Sequence, residues 1–271
     1  MNTFTLDSKT MHYLDKGEGP VLVFGHSYLW DSEMWAPQVE VLSNHYRCIV
    51  PDLWAHGQSD AAPAKTRTLK DYACDVMSLM DHLDIDTFSL IGLSAGGMWG
   101  AELTALAPLR VKSLVMMDTF VGLEPEVTHK KYSCMLDAIE AAQHIPAPLV
   151  DIITPMFFAR DAEQVNPELI AKFRSRLTSF KGQQAIEITK IGRMIFGRRD
   201  AFDELESFTL PTLIMVGDQD MPRPHQEAQL MQSAVKGSEL VIVPDAGHIS
   251  NLEQPTFVSE RLLCFLEKVH A

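Results

Sequence analysis

The sequence is poor in cysteine, in basic residues and in long hydrophobic runs, and each shortage narrows the field. Its four cysteines in 271 residues, Cys48, Cys74, Cys134 and Cys264, lie far apart and form no CxxC pair. That spacing excludes a disulfide-dense scaffold and the common zinc-site patterns. Three of them fall inside apolar periodic segments, which predicts buried, reduced thiols. No stretch reaches the roughly 18 apolar residues that a membrane-crossing helix needs, so no membrane partner is expected. The 23 Lys and Arg against 36 Asp and Glu give a formal net charge of -13. A surface of that sign repels nucleic acid and anionic lipid, and basic residues interleaved with aromatics are absent. Gly17 and Gly19 precede a strand-like run, the wrong context for a dinucleotide loop. Walker and HExxH patterns are missing, so neither a cofactor nor a metal is expected. The opening Met1-Asn2-Thr3-Phe4-Thr5-Leu6-Asp7 lacks the basic start and apolar stretch of a secretory leader, which predicts a cytoplasmic protein.

What remains is an ordinary globular composition, 46% hydrophobic and 22% charged. Short β-rich runs alternate with helical ones, which predicts an α/β fold with a mostly parallel sheet covered by helices. Phe4–Leu6 and Thr10–Leu14 read as an opening hairpin. Val21–Phe24 is a continuous apolar run, as a strand buried on both faces requires. Tyr46–Val50, Phe88–Leu93, Val111–Met117, Thr212–Val216 and Leu240–Val243 read as further strands. Tyr72, Val76, Leu79, Met80 and Leu83 form one helical stripe. From about Thr119 to Leu205 the alternation stops and the chain reads helical, punctuated by Pro125, Pro146, Pro148, Pro155 and Pro167. That segment carries 11 basic and 12 acidic residues, leaving 12 and 24 elsewhere. The expected organisation is therefore a core of residues 1–118 and 206–271, interrupted by a nearly neutral helical insertion at 119–205.

The most informative stretch is Phe88-Ser89-Leu90-Ile91-Gly92-Leu93-Ser94-Ala95-Gly96-Gly97. It places Gly-x-Ser-x-Gly at the end of an apolar strand and the start of a helix. A nucleophile on so tight a turn needs small neighbours, and Gly92 and Gly96 supply them. The Ala95 N–H then lies at a helix N-terminus, where developing negative charge is favoured. A serine hydroxyl is a poor nucleophile at neutral pH without a base and a group that orients the base. Among the ten histidines, His248 has the right setting, on the small-residue loop Pro244-Asp245-Ala246-Gly247 after an apolar strand. The orienting carboxylate belongs between Ser94 and His248. Leu213-Ile214-Met215-Val216-Gly217-Asp218-Gln219-Asp220 offers Asp218 and Asp220, and spacing alone does not decide between them.

These motifs, in the order Ser, Asp, His, resemble the α/β-hydrolases with a helical cap, over nearly the whole chain. The resemblance implies that the acid is Asp220, three residues after Gly217 and shortly before Pro222, with Asp218 a turn-capping residue. Gly25-His26-Ser27-Tyr28 resembles the family's His-Gly-x loop, which implies that the Tyr28 N–H joins the Ala95 N–H in an oxyanion hole, with His26 a loop organiser. Ser27 stands where the family has glycine. Asp52-Leu53-Trp54-Ala55-His56-Gly57-Gln58-Ser59 resembles a structural turn of the family, with Ala55 in place of its first glycine and His56 structural. Together with Asp245–Pro255, these segments look similar to 3-oxoadipate enol-lactonases, and carboxylesterases share much of the pattern. The implied activity is a cofactor-free serine hydrolase of a small carboxylic ester or lactone. A C–C bond hydrolase of ring-fission diketones using the same residues is the alternative, and a non-catalytic ligand-binding receptor on this scaffold is a further one. Trp30, Met98, Phe157 and Phe158 are candidate substrate-binding residues. Arg160, Arg193, Arg198 and Arg199 are candidate partners for a substrate carboxylate. No oligomeric state is assigned.

Overall fold

The computed structural model describes all of Met1–Ala271. The chain opens with a hairpin, β1 (Asn2–Leu6) and β2 (Lys9–Lys16), in antiparallel register with Phe4 opposite Met11. Asp7 and Ser8 turn it with positive φ. β3 (Val21–Gly25), helix α1 (Ala36–Leu42), β4 (Arg47–Pro51), α2 (Leu69–His82), β5 (Phe88–Leu93), α3 (Ala95–Leu106) and β6 (Val111–Met117) follow. Five helices come next: α4 (Glu126–Ala142), α5 (Ala147–Ile153), α6 (Ala162–Val165), α7 (Pro167–Ser179) and α8 (Gln183–Phe196). The chain then closes with β7 (Thr212–Gly217), α9 (His225–Ala234), β8 (Glu239–Val243), α10 (Ser250–Glu253) and α11 (Pro255–Val269).

The eight strands form one sheet in the order β1-β2-β4-β3-β5-β6-β7-β8. β2 pairs antiparallel to β4, and every pair from β4 to β8 is parallel. Strand burial follows from this order. β5 and β7 lie inside the sheet and are buried at every position, whereas β8, at the edge, leaves Ile242 exposed. Parallel strands covered on both faces favour apolar side chains, which is why β3 reads as a continuous hydrophobic run and β5 as a nearly continuous one broken by Ser89.

Helix α2 shows how the sequence sets its boundaries. Thr68 caps its N-terminus, accepting from the Asp71 N–H while the Asp71 carboxylate accepts from the Thr68 N–H. Its Tyr72, Val76, Leu79 and Met80 face the core. Cys74 lies on the opposite face and is exposed, as are Cys134 on α4 and Cys264 on α11. The expectation of buried thiols therefore holds only for Cys48 on β4. The other three occupy solvent-facing positions of amphipathic helices, where membership of a periodic segment says nothing about which face a residue takes. Burial pushes the Cys48 thiol up to about 12. No helix is long and apolar enough to cross a membrane.

Candidate active site

The carboxyl ends of β3, β5, β6, β7 and β8 converge, and the loops leaving them carry the polar groups of the site. Between β5 and α3 the backbone reverses at Ser94, held at φ 54 and ψ -116. A β-carbon at Gly92 would lie 2.3 Å from the Gly96 carbonyl, and one at Gly96 would lie 2.0 Å from the Gly25 oxygen. Only glycine permits that approach, so the strained turn and its small neighbours come as one unit. Ser94 N–H donates to Met117 O at 2.8 Å and Thr119 Oγ1 donates to Ser94 O at 2.7 Å, which fixes the turn from the β6 side.

Ser94 Oγ lies 2.9 Å from His248 Nε2, across 154 residues of sequence. His248 Nδ1 lies 2.9 Å from Asp220 Oδ2 and 3.1 Å from Asp220 Oδ1. All three side chains are buried. Asp218 goes elsewhere: its Oδ1 accepts the Ala246 N–H at 3.2 Å, joining the β7 and β8 loops. Asp220, not Asp218, thus meets the histidine. The two loops approach so closely that a β-carbon at Gly217 would sit 2.2 Å from Gly247 O. Phe157 packs its ring against His248, edge to face, at 5.5 Å.

Helix α3 begins at Ala95, so its N–H has no intrahelical acceptor. The Tyr28 N–H likewise has no protein acceptor. Ser27 is held at both backbone ends: its N–H donates to Met34 Sδ at 3.3 Å, and its carbonyl accepts from His26 Nδ1 at 2.7 Å. The Ser27 hydroxyl is buried without a protein partner. His26 and His56 act as loop organisers: His26 Nε2 accepts the Leu53 N–H at 2.6 Å, and His56 Nε2 accepts the Leu29 N–H at 3.1 Å. Burial lowers His26 to about 4 and His56 to about 3, so both are neutral, and each Nε2 lone pair is already taken by a backbone N–H, which leaves neither free to act as a base. Ala55 sits at φ 63 in the turn where glycine was expected.

Four further residues frame the site without having been singled out in the sequence. Asp118, at the end of β6, accepts the Gly217 N–H at 2.8 Å and the Ser250 hydroxyl at 2.5 Å, tying the acid loop to the histidine loop. Burial raises its carboxyl well above the usual range, reinforced by the neighbouring Asp220 carboxylate. Glu253 accepts from Gly247 N–H at 2.7 Å and Ala159 N–H at 2.8 Å, and burial raises it to about 7. Glu124 pairs with both Arg198 and Arg223, and all three are buried. A carboxylate at the carboxyl end of a parallel strand was a readable signal for Asp118. The Glu124 cluster joins residues 74 and 99 positions apart, which no local pattern announces.

A cavity of about 70 Å³ opens at Ser94 and His248. Twelve of its 17 lining residues are hydrophobic, among them Met98, Leu136, Ile139, Phe157 and Phe196. Met98 and Phe157 line it, but Trp30 and Phe158 do not. Trp30 is stacked on Phe173 at 4.7 Å, and Phe158 packs edge-on against the same ring at 5.5 Å. Arg160, Arg193, Arg198 and Arg199 also lie outside the cavity wall, which Arg223 joins instead. No group of three or more His, Cys, Asp or Glu is placed to hold a metal ion.

The chain is similar along most of its length to known hydrolases. It is 28% identical to 3-oxoadipate enol-lactonase 1 of Acinetobacter baylyi, over 87% of this chain and 84% of that one. It is also 28% identical to carboxylesterase YbfK of Bacillus subtilis, over 92% and 81%. The crystal structure of the enol-lactonase from Burkholderia xenovorans superposes with a TM-score of 0.88 at 26% identity, covering 98% of this chain and 100% of that one. Residues 20–255 match the alpha/beta hydrolase fold family, a span that includes the sheet from β3 onward and all the residues just described. The chain belongs to the α/β-hydrolase family.

Proposed function

We propose that this protein is a serine hydrolase of small carboxylic esters or lactones, with Ser94 as nucleophile, His248 as base and Asp220 as the orienting acid. The observation that carries the reading is the continuous chain Asp220–His248–Ser94, with contacts of 2.9 Å at each step. His248 Nε2 takes the Ser94 proton as Oγ attacks the carbonyl carbon, while Asp220 holds Nδ1–H and stabilises the imidazolium. The Tyr28 and Ala95 N–H groups, both without protein acceptors, receive the oxyanion. Collapse expels the alcohol, which takes the proton from His248. Water, deprotonated by His248, then releases the acid from the acyl-enzyme. In this reading the five helices between β6 and β7 form a cap, residues 119–205, over the core. Both named relatives act on acyl–oxygen bonds by their names, a lactonase and a carboxylesterase, which supports the reaction class. The C–C bond alternative gains nothing here, because none of the four candidate cap arginines reaches the cavity.

The test is initial hydrolysis rates on p-nitrophenyl esters, wild type beside Ser94→Ala. The expected result is turnover by wild type and a fall of at least about a thousandfold in the variant. Equal activity of the two proteins would remove Ser94 from the reaction. Tight ligand binding unchanged in Ser94→Ala, with no turnover by wild type, would make the protein a receptor on this scaffold.

A further inference from the structure

The cavity at Ser94 is small and carries a single cationic side chain on its wall, Arg223. That guanidinium is already engaged. Its Nη2 pairs with Glu124 Oε2 and its Nη1 with Glu227 Oε2 at 3.4 Å, with only 4% of the arginine side chain exposed. Arg198 Nη1 shares the same Glu124 oxygen at 3.0 Å, so two arginines and two glutamates form one balanced cluster. The remaining polar side chains on the wall, Ser27, Tyr28, Ser94, Tyr132 and His248, carry no fixed positive charge, and Asp220 lies directly behind the histidine. A carboxylate entering this space would lose its water and find no free cation, a cost that buried unpaired ions do not recover. Size limits the occupant as well. At about 70 Å³ the space lies well below the roughly 300–1,000 Å³ of a drug-sized ligand site, so it admits a small acyl group.

From this clamped arginine and narrow apolar wall, we infer that the substrate's acyl group is short, apolar and uncharged. The inference rests on the hydrolase reading above and adds the substrate class to it. Glu124 and Glu227 are then specificity-determining residues, because they hold the one cation on the wall away from an anionic acyl chain. A carboxylate in the substrate would be selected only if one of them released Arg223.

Methyl isovalerate and monomethyl malonate test this directly. Their acyl groups share one outline and differ in an isopropyl group against a carboxylate. Acid release is followed by titration, and each rate is corrected by that ester's hydroxide-catalysed rate. Wild type is expected to favour the neutral ester by at least about a hundredfold in kcat/KM. Equal rates, or preference for the malonate, would overturn the inference while leaving the hydrolase reading intact. Failure to hydrolyse either ester, or any p-nitrophenyl ester, would overturn the hydrolase reading and the inference with it. In Glu227→Gln, which keeps the shape and removes one partner of Arg223, the ratio is expected to move at least about tenfold toward the malonate. An unchanged ratio would overturn the assignment of the clamp as its cause. Among unbranched esters, rates should fall as the acyl chain lengthens from short to medium. A maximum at octanoyl would overturn the size limit.

Discussion

At Tyr28 the backbone and the side chain serve different neighbours. The N–H has no protein acceptor and is the proposed oxyanion donor, while the phenol donates to Ile188 O at 2.8 Å, on α8. The ring packs edge-on against His56 at 5.5 Å and Phe196 at 5.8 Å. Gly192 lets α8 come this near, since a β-carbon there would lie 2.7 Å from the Tyr28 hydroxyl oxygen. The phenol therefore ties the proposed oxyanion loop to the helical segment above it. Tyr28→Phe should cost about 1 kcal/mol of stability through the lost hydrogen bond. It should also lower kcat about tenfold with little change in KM, less than the hundredfold or more that deleting a donor costs. Denaturant unfolding and steady-state kinetics on one ester measure the two effects separately.

The loops after β3 and β4 form one element in practice, because two neutral imidazoles join them. His26 and His56 stand 5.3 Å apart, and each accepts an N–H from the other's loop. Their pKa values, about 4 and about 3, lie below the ordinary 6.5. Between those values the unfolded chain binds protons that the native protein refuses, so stability rises with pH there and is lost as pH falls below 6.5. By pH 5 each histidine should have cost about 2 kcal/mol relative to neutral pH. Glu253 acts with the opposite sign: burial raises it from 4.5 to about 7, so its contribution is lost as pH climbs through that window. Comparing wild type with His56→Asn separates the two. The variant should be less stable at pH 7 but lose about 2 kcal/mol less between pH 7 and pH 5, read from denaturant midpoints. Parallel pH curves would show that His56 is not the proton-linked group.

Across the whole molecule, the buried cluster around Glu124 joins three places in the chain. Glu124 lies in the loop entering the helical segment, Arg198 in the loop leaving it, and Arg223 beside the acid, with its own N–H donating to Asp220 Oδ1 at 2.9 Å. Both ends of the inserted helices are thereby fastened to the loop that carries Asp220. Removing the carboxylate would strand the buried Arg198 guanidinium and leave Arg223 with only Glu227, at 3.4 Å. Glu124→Ala should accordingly lose about 3–5 kcal/mol of folding stability, well beyond an exposed ion pair's share. Thermal or denaturant unfolding checks the figure, and a change within about 0.5 kcal/mol, the range of an ordinary surface substitution, would mean the cluster holds nothing together.

The sheet was legible because parallel strands buried on both faces are rich in apolar residues, as β3, β5, β6 and β7 are despite Ser89, Lys112, Ser113 and Thr212. The turn at Ser94 was legible too, since its strained backbone requires Gly92 and Gly96 close by in sequence. Local pattern reaches no further than neighbouring residues, however. It left Asp218 and Asp220 open, and only packing of the β7 and β8 loops gives one to Ala246 N–H and the other to His248. It likewise could not separate Met98 and Phe157, which line the cavity, from Trp30 and Phe158, which pack on Phe173, because all four are equally hydrophobic. The cysteines on α2, α4 and α11 show the same limit, since helical phase against the core decides burial. Residue type and spacing thus determined the sheet, the turn and the chemistry on offer. Long-range contact decided which carboxylate meets His248, where Arg223 is held, and what the cavity can admit.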